Sequence, residues 1–183
     1  KFKNIHVNAA CKIAETCKLV GVKQLIHISS LGAKSDSKSG LLKTKGEGEE
    51  QVLKIFPNAN IIRPSLIFGP EDDFFNRFAR MALLSPVIPS IGSTTKFQPV
   101  FVNDVAKAVT FLVKNKSEKR YLELGGQEIF LFINLLKKLL VHINRKRIIL
   151  KVPLFAATII AAINDFLRLM SGNIFPAFLT VAQ

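Results

Sequence analysis

The sequence contains few of the residues that build metal centres or disulfide frameworks. It has no tryptophan, one tyrosine and two cysteines, Cys11 and Cys17. The cysteines lie six positions apart in a segment with helical periodicity, hence on different helix faces, which predicts no disulfide. The three histidines have no partner at a metal-ligand spacing, so no metal site is predicted. A reducing compartment is the default for such a chain.

The sequence also lacks a hydrophobic run long enough to cross a bilayer. Its longest apolar run, Val152 to Ile163, has 12 residues, whereas a transmembrane helix needs ~20. The run instead predicts a buried helix, or a helix that lies at a membrane surface or a protein interface.

Acidic residues are scarce: 13 Asp and Glu face 26 Lys and Arg, which gives a net charge of +13. Such a balance favours nucleic acid, anionic lipid or an acidic protein as partner. The basic residues are scattered along the chain, however, and no nucleic-acid recognition motif accompanies them, so we predict no nucleic-acid binding. A mutational bias toward A/T-rich codons would produce the same excess of Lys without any ligand.

Apolar residues are plentiful, at 49% of 183 residues, and are enough to fill the core of one ordinary domain. Helical spacing followed by a glycine predicts a helix over 8–20, and a second helix is expected over 42–55. Short apolar runs predict buried strands at 24–30 and 59–63. This alternation indicates parallel strands joined by crossover helices, with functional sites at the carboxyl ends of the strands.

The periodicity is less regular after Gly69. Helices are expected over 73–84, up to Lys114, over 130–142 and over 153–170, with strands at 97–102 and 121–124 and an extended piece around Pro86 and Pro89. Asn103 or Asp104 is expected to cap the helix that ends at Lys114. Residues 1–115 would form the main α/β part, with a segment inserted near 70–95, and 116–183 a smaller carboxyl-terminal portion.

Five segments, in this order, resemble the extended and atypical short-chain dehydrogenases: VKQLIHISS at 22–30, KGEGE at 45–49, IRPSLIFGP at 62–70, QPVFVNDVA at 98–106 and LELGG at 122–126. The segments EDDFFNRFA at 71–79 and PVIP at 86–89 are similar to the branch that contains a nucleotide-binding accessory subunit of respiratory complex I. The resemblance implies an α/β fold: the carboxyl-terminal part of a Rossmann-like parallel sheet with helices on both faces, plus a small α/β cap. On this basis residues 1–115 would be the carboxyl-terminal half of an NAD(P)-binding domain, with part of the cap inserted near 70–95, and residues 116–183 a small substrate or cap portion.

The resemblance also implies a site. In this family a Ser or Thr, a Tyr and a Lys four residues after the Tyr carry out proton transfer during hydride transfer. Ser30 matches the hydroxyl position and Lys45 the lysine, but Leu41 stands where the family has tyrosine, so the usual dehydrogenase step should be lost. Tyr121 lies far along the chain and cannot replace that phenol on local grounds.

The cofactor that the resemblance implies is NADP or NAD. Its expected binding residues here are Ser29, Ser30, Lys45, Pro64, Ser65 and Ile67. A purely structural interpretation stays open for each: the serines could satisfy backbone groups at a strand end, Lys45 could be a solvated helix residue, and Pro64 could simply end a strand. Arg63, Asp72 and Asp73 could contact a substrate or a neighbouring protein, but they are interpreted first as surface charges.

None of the ten glycines forms the family's Gly-x-x-Gly-x-x-Gly turn, through which backbone amides approach the pyrophosphate. We therefore expect an amino-terminally incomplete protein that holds the dinucleotide only together with the absent half. A split gene, a degraded gene and an incomplete sequence would each explain this, and the sequence does not distinguish NADP from NAD.

Three functions follow from the resemblance. The first is a non-catalytic NAD(P)-binding subunit or assembly factor of respiratory complex I (NADH:ubiquinone oxidoreductase). The second is an NAD(P)-dependent nucleotide-sugar epimerase, dehydratase or reductase, and the third is a remnant without function. The implied partners are complex I subunits or a membrane surface. The implied location is the cytoplasm or a matrix-like side, peripheral to the inner or cytoplasmic membrane.

Overall fold

The structure is a computed structural model that describes residues 2–115, 117 and 119–153. The chain divides into two units, the first made of Lys1–Ile67 and Pro99–Gln127 and the second of Phe68–Gln98 and Glu128–Gln183. A π-helical stretch, Asn4–Ala9, leads into the first α-helix. In chain order the elements are α1 Ala10–Leu19, β1 Ile26–Ile28, α2 Gly40–Ile55, β2 Asn60–Pro64, β3 Ile67–Phe68, α3 Asp73–Leu84, β4 Val87–Ile91, β5 Lys96–Phe97, β6 Val100–Phe101, α4 Val102–Lys114, β7 Tyr121–Leu124, β8 Phe130–Leu131, α5 Phe132–His142 and β9 Ile148–Val152.

The first unit contains a parallel three-stranded sheet in the order β1-β2-β7. Ile28 pairs with Ile62 at the end of β1, and Pro64 pairs with Leu124 at the ends of β2 and β7. Parallel strands need crossover connections, which α2 and α4 provide in the sequence between them. The predicted parallel α/β fold is therefore confirmed.

Both faces of β2 are buried, which explains its continuous apolar character. Ile61 packs on one face with Ala10 and Ala14 of α1 and Val52 of α2. Ile62 points to the opposite face, because side chains alternate along a strand, and it is also fully buried. The sheet thus forms the core of this unit.

Two glycines of α2 allow other backbone segments to approach the helix closely. A Cβ added to Gly48 would lie 2.0 Å from the His6 carbonyl oxygen, and one added to Gly46 would lie 2.4 Å from the Lys34 carbonyl carbon. Backbone atoms cannot yield as a flexible side chain can, so only glycine fits at both positions. In the sequence these residues resemble part of a charged surface run, and their packing role was not predicted.

Two expectations for the helices of this unit are wrong. The chain is already helical before residue 8, in the π-helical stretch Asn4–Ala9. Ile13 and Val20, two of the apolar residues whose helical spacing predicted the helix over 8–20, are 58% and 68% exposed. Helix α4 begins at Val102 without a side-chain cap, so Asn103 and Asp104 lie inside its first turn. Asp104 instead pairs with Lys107 across one turn.

The second unit has an aromatic core beneath a two-stranded parallel sheet, β4-β9. Phe74 contacts Phe78, Phe97 and Phe132 at ring-centroid distances of 5.4 to 5.8 Å. Asp72 is the N-cap of α3 and accepts a 2.6 Å bond from the Phe75 amide, so its interpretation as a surface charge is wrong. Strand β9 was not predicted at all.

The predicted boundary between 115 and 116 differs from the observed division, because β7 pairs with β2 and lies in the first unit. The assignment of the later residues to a substrate or cap portion stays a prediction. The helix expected over 153–170 falls almost entirely outside the described residues. Among the helices of the described ranges, none is long and apolar enough to span a membrane.

Substituting Gly48 tests the close approach of backbone to α2. Gly48→Ala should lower the free energy of unfolding by about 1–3 kcal/mol, because the methyl group overlaps a backbone carbonyl. Gly40→Ala is the matched control, since nothing lies within 4 Å of the added Cβ there. Urea unfolding of both variants measures the difference, and equal stabilities would contradict the packing described.

Candidate functional site

The candidate site lies at the carboxyl ends of the three parallel strands. The Ser29 amide donates to the Ile62 carbonyl at 2.7 Å, and the Leu31 amide donates to the Pro64 carbonyl at 2.8 Å. On the next strand, the Ser65 amide donates to the Leu124 carbonyl at 2.8 Å. The ladder therefore continues past the strands and holds Ser29, Pro64 and Ser65 at one edge of the sheet.

Lys45 reaches this edge from α2. Its Nζ donates a 3.2 Å hydrogen bond to the Ser29 carbonyl oxygen and is half-buried. Burial lowers the pKa of Lys45, and the nearby Glu49 carboxylate opposes that shift. Lys45 is thus a directed side chain at the end of β1 and not a solvated helix residue.

The two serine hydroxyls are buried and lack hydrogen-bond partners. Neither Ser29 Oγ nor Ser30 Oγ has a partner within the described part of the chain. Their hydroxyls therefore do not satisfy backbone groups at the strand end, as the structural interpretation required. Because a buried hydroxyl is stabilised by any water or ligand group that bonds to it, these two hydroxyls are candidate hydrogen-bonding groups for a ligand.

Leu41 lies in the first turn of α2, one helical turn before Lys45, and is 37% exposed. An aliphatic side chain has no proton to transfer, so this position supplies no acid or base. Tyr121 pairs with Ile61 at the amino end of β7, while the site lies beside Leu124 at the carboxyl end. The single tyrosine of the chain is therefore not a substitute for a phenol at position 41.

The remaining predicted residues follow β2. Pro64 is the buried last residue of that strand, and Ser65 comes directly after it. Ile67 lies two residues further along, at the start of β3. The structure thus brings Ser29, Lys45, Pro64 and Ser65 to one edge, with Ser30 and Ile67 beside them in the chain; their roles in binding stay predictions.

A buried ion pair near this site was missed by sequence reasoning. Glu49 of α2 is 1% exposed, and both of its carboxylate oxygens accept bonds from Arg63 of β2, at 2.5 to 3.2 Å. The Arg63 guanidinium also lies 4.3 Å from the centroid of the Tyr121 ring. The hydrogen bonds and charge of Glu49 raise the pKa of Arg63. Glu49 stands in an acidic run that is typical of a surface, so nothing in the sequence marked it.

Two histidines lie in the same electrostatic environment. His6 Nδ1 lies 3.0 Å from Thr44 Oγ1, and His27 is the central residue of β1. Burial, the largest cause, and the positive charge of Lys45 lower the pKa of both, while Glu49 opposes the shift of His27. Both imidazoles are therefore held toward their neutral forms.

The Glu49–Arg63 pair should respond differently to loss of each partner. Arg63→Met leaves a buried carboxylate without its partner and should cost about 3–5 kcal/mol of unfolding free energy. Glu49→Gln leaves the partly exposed Arg63 to solvent and to Glu123, 3.7 Å away, and should cost about 1–3 kcal/mol. Urea unfolding at neutral pH measures both variants. A larger loss in Glu49→Gln would refute this account.

His27 should make the stability depend on pH. Its pKa is below 6.5 in the folded chain, so protons bind the unfolded chain first as the pH falls. Stability is therefore full above pH 6.5 and should decrease as the pH falls through the lower, folded pKa. His27→Gln should reduce the loss of unfolding free energy at low pH. The exposed control His142→Gln should show the same pH dependence of the unfolding free energy as the wild type. Urea midpoints across the range test this.

Comparisons with known proteins agree with this geometry. No family model matches the chain. It is 38% identical over 157 residues to the mitochondrial NADH dehydrogenase [ubiquinone] 1 alpha subcomplex subunit 9 of Mus musculus, a match that covers 84% of this chain and 41% of the relative. The protein of the same name from Arabidopsis thaliana is 36% identical over 170 residues, covering 91% of this chain and 42% of the relative. The chain thus spans about two fifths of these relatives' length.

A solved structure shares the fold. The dTDP-4-dehydrorhamnose reductase of Bacillus anthracis, in complex with NADP, superposes with a TM-score of 0.70 at 20% identity and covers 81% of this chain and 58% of that chain. Similarity at this identity shows the fold alone. Together, these matches show that the chain is similar to the NADH dehydrogenase alpha subcomplex subunit 9 proteins over about two fifths of their length, and that it shares the fold of the NADP-bound reductase.

Proposed function

We propose that this protein is a non-catalytic, nucleotide-binding accessory subunit or assembly factor of respiratory complex I. Relatives that are 36–38% identical over most of this chain are named as subunits of NADH dehydrogenase. The observation that carries the proposal lies in α2, where Lys45 keeps its place at the strand end while Leu41 replaces the proton donor. The relatives are also named as mitochondrial, which favours the matrix side of the inner membrane for this protein.

The donor set fits one end of NAD or NADP. The Lys45 ammonium and the Ser29 and Ser30 hydroxyls, which have no partner among the described residues, are groups that can hydrogen-bond ribose hydroxyls. Pro64, Ser65 and Ile67, at and after the end of the adjacent strand, would border the nicotinamide. A bound nicotinamide would supply hydride chemistry. Without a phenol at position 41, the chain's own groups would orient the ribose and would move no proton to or from a substrate. The pyrophosphate would need the glycine turn that this sequence lacks.

Nicotinamide mononucleotide tests this half-site directly, because it carries the nicotinamide ribose without the rest of the dinucleotide. Saturation-transfer NMR should detect contacts from its ribose protons to the chain, and Lys45→Met should abolish them. Lys43→Met is the matched control, since Lys43 is exposed on the same helix. Ribose contacts that persist in Lys45→Met would contradict the assignment of this site.

Membership in the complex is tested by native electrophoresis of mildly solubilised membranes. We expect the protein to migrate with NADH dehydrogenase activity. The Lys45→Met variant should migrate in the same way, because the proposed nucleotide contact of Lys45 takes no part in docking to the complex. A protein that is recovered only in the soluble fraction, never with the complex, would overturn the proposal.

An enzyme is the second candidate, favoured by one observation. The Ser30 hydroxyl has no partner within the described residues and is the one remaining family hydroxyl that could pass a proton through a water. The protein would then be an NAD(P)-dependent nucleotide-sugar epimerase, dehydratase or reductase. Turnover of nucleotide sugars with NAD(P)H that is lost in both Ser30→Ala and Lys45→Met would establish this function over the first.

A further inference from the structure

Two polar contacts, one helical turn apart, tie α2 to the parallel sheet of the first unit. Lys45 Nζ donates a 3.2 Å hydrogen bond to the Ser29 carbonyl oxygen at the end of β1. Glu49 accepts hydrogen bonds from Arg63 of β2 through both of its carboxylate oxygens. Residues four apart lie on the same side of a helix with Cβ atoms about 5–6 Å apart, so Lys45 and Glu49 are also within reach of each other.

Lys45 and Glu49 nevertheless do not pair with each other. None of the ion pairs between described residues includes Lys45, although Glu49 is the carboxylate that acts on its charge. The other titratable groups beside Lys45 are His6 of the π-helical stretch and His27 of β1, and both are held toward their neutral forms. Glu49 is thus occupied by Arg63, whose guanidinium stays charged in proteins and forms the stronger, bidentate arrangement with a carboxylate.

Arg63 is itself held in place from the neighbouring strand β7. Its guanidinium carbon lies 4.3 Å from the centroid of the Tyr121 ring, and its Nη1 lies 3.7 Å from a carboxylate oxygen of Glu123. The ring attracts the cation, and the second carboxylate adds to that attraction. The guanidinium is therefore fixed between β7 and α2, which keeps it beside Glu49.

We propose that Arg63 is a positioning residue of the nucleotide site: it occupies the Glu49 carboxylate, so that the Lys45 ammonium stays directed at the end of β1. The inference rests on the proposed function, in which Lys45 holds the nicotinamide ribose. Without Arg63, the buried carboxylate would need another cation, and Lys45 is one turn away. Lys45 would then leave the Ser29 carbonyl for Glu49, and its N–H groups would no longer be available to a ribose.

Binding of nicotinamide mononucleotide to the full chain, measured by saturation-transfer NMR, tests the inference. Arg63→Met should weaken this binding about tenfold, the effect of losing one charged hydrogen bond, although Lys45 is still present. Arg63→Lys should bind nearly as the wild type, because its ammonium still occupies Glu49. The double variant Glu49→Gln/Arg63→Met should also bind nearly as the wild type, because no carboxylate remains to attract Lys45. Arg63→Gln keeps a donor for Glu49 but no charge, so it repeats the test in a more stable chain.

The pKa of Lys45, followed through the Nζ resonance of nitrogen-15-labelled lysine, separates this account from a general disturbance of the site. Pairing with Glu49 should raise this pKa in Arg63→Met, because a carboxylate favours the charged ammonium. In the double variant the pKa should fall below that of the wild type, because burial persists and the charge of Glu49 is gone. The resonance of Lys43, an exposed residue of the same helix, is the reference.

Two results would overturn the inference. A helix that is merely displaced would expose Lys45 to water and raise its pKa in both variants. Undiminished binding of nicotinamide mononucleotide in folded Arg63→Met and Arg63→Gln would show that Arg63 does not position Lys45. Failure of the wild type to bind the mononucleotide would instead refute the proposed function, while opposite pKa changes in the two variants would still support the control of Lys45 by Arg63.

Discussion

Three backbone hydrogen bonds beyond the ends of β1, β2 and β7 decide where the candidate functional groups of this protein lie. They extend the parallel ladder by one to three residues and hold Ser29, Pro64 and Ser65 at one edge of the sheet. Because parallel strands all end at the same edge, residues more than thirty positions apart in the sequence become neighbours there. Shifting the register by one residue would exchange the faces of β2 and remove this arrangement.

The chemistry of that edge is that of a binding site without its proton donor. Lys45 is kept half-buried at a cost to its charged form, and the cost is limited by the carboxylate of Glu49 one turn away. Glu49 itself is paired with Arg63, so the charges of this region are compensated within the first unit. The two serine hydroxyls are the groups that the described residues leave unsatisfied. The paired charges of Glu49 and Arg63 therefore stabilise the fold, whereas the two serine hydroxyls are available to a ligand.

The second unit illustrates a different use of parallel pairing. Only one face of the two-stranded sheet β4-β9 packs against the aromatic core, through Ile88 and Ile149. Alternation then forces every second residue outward, and in β4 and β9 all of these residues are apolar. Apolar surface in contact with water is unfavourable in free energy, and a partner that covers this surface removes the cost. An exposed face made only of apolar residues therefore indicates an interaction surface.

The sequence alone determined the α/β class, the buried strand β2 and the exchange of tyrosine for Leu41, since these depend on local composition, periodicity and motif order. It also placed α3 over the observed residues, because the apolar spacing of a helix acts within a few positions, although the capping role of Asp72 was missed. Tertiary structure alone decided the roles of Gly48, Glu49 and Arg63, which in the sequence look like surface residues. Gly48 is required because the His6 carbonyl packs against it, and Glu49 and Arg63 form their ion pair only because α2 packs beside β2. Strand β9 became a strand only by pairing with β4, some sixty residues earlier, because hydrogen bonds between segments, and not local preference, stabilise a short strand.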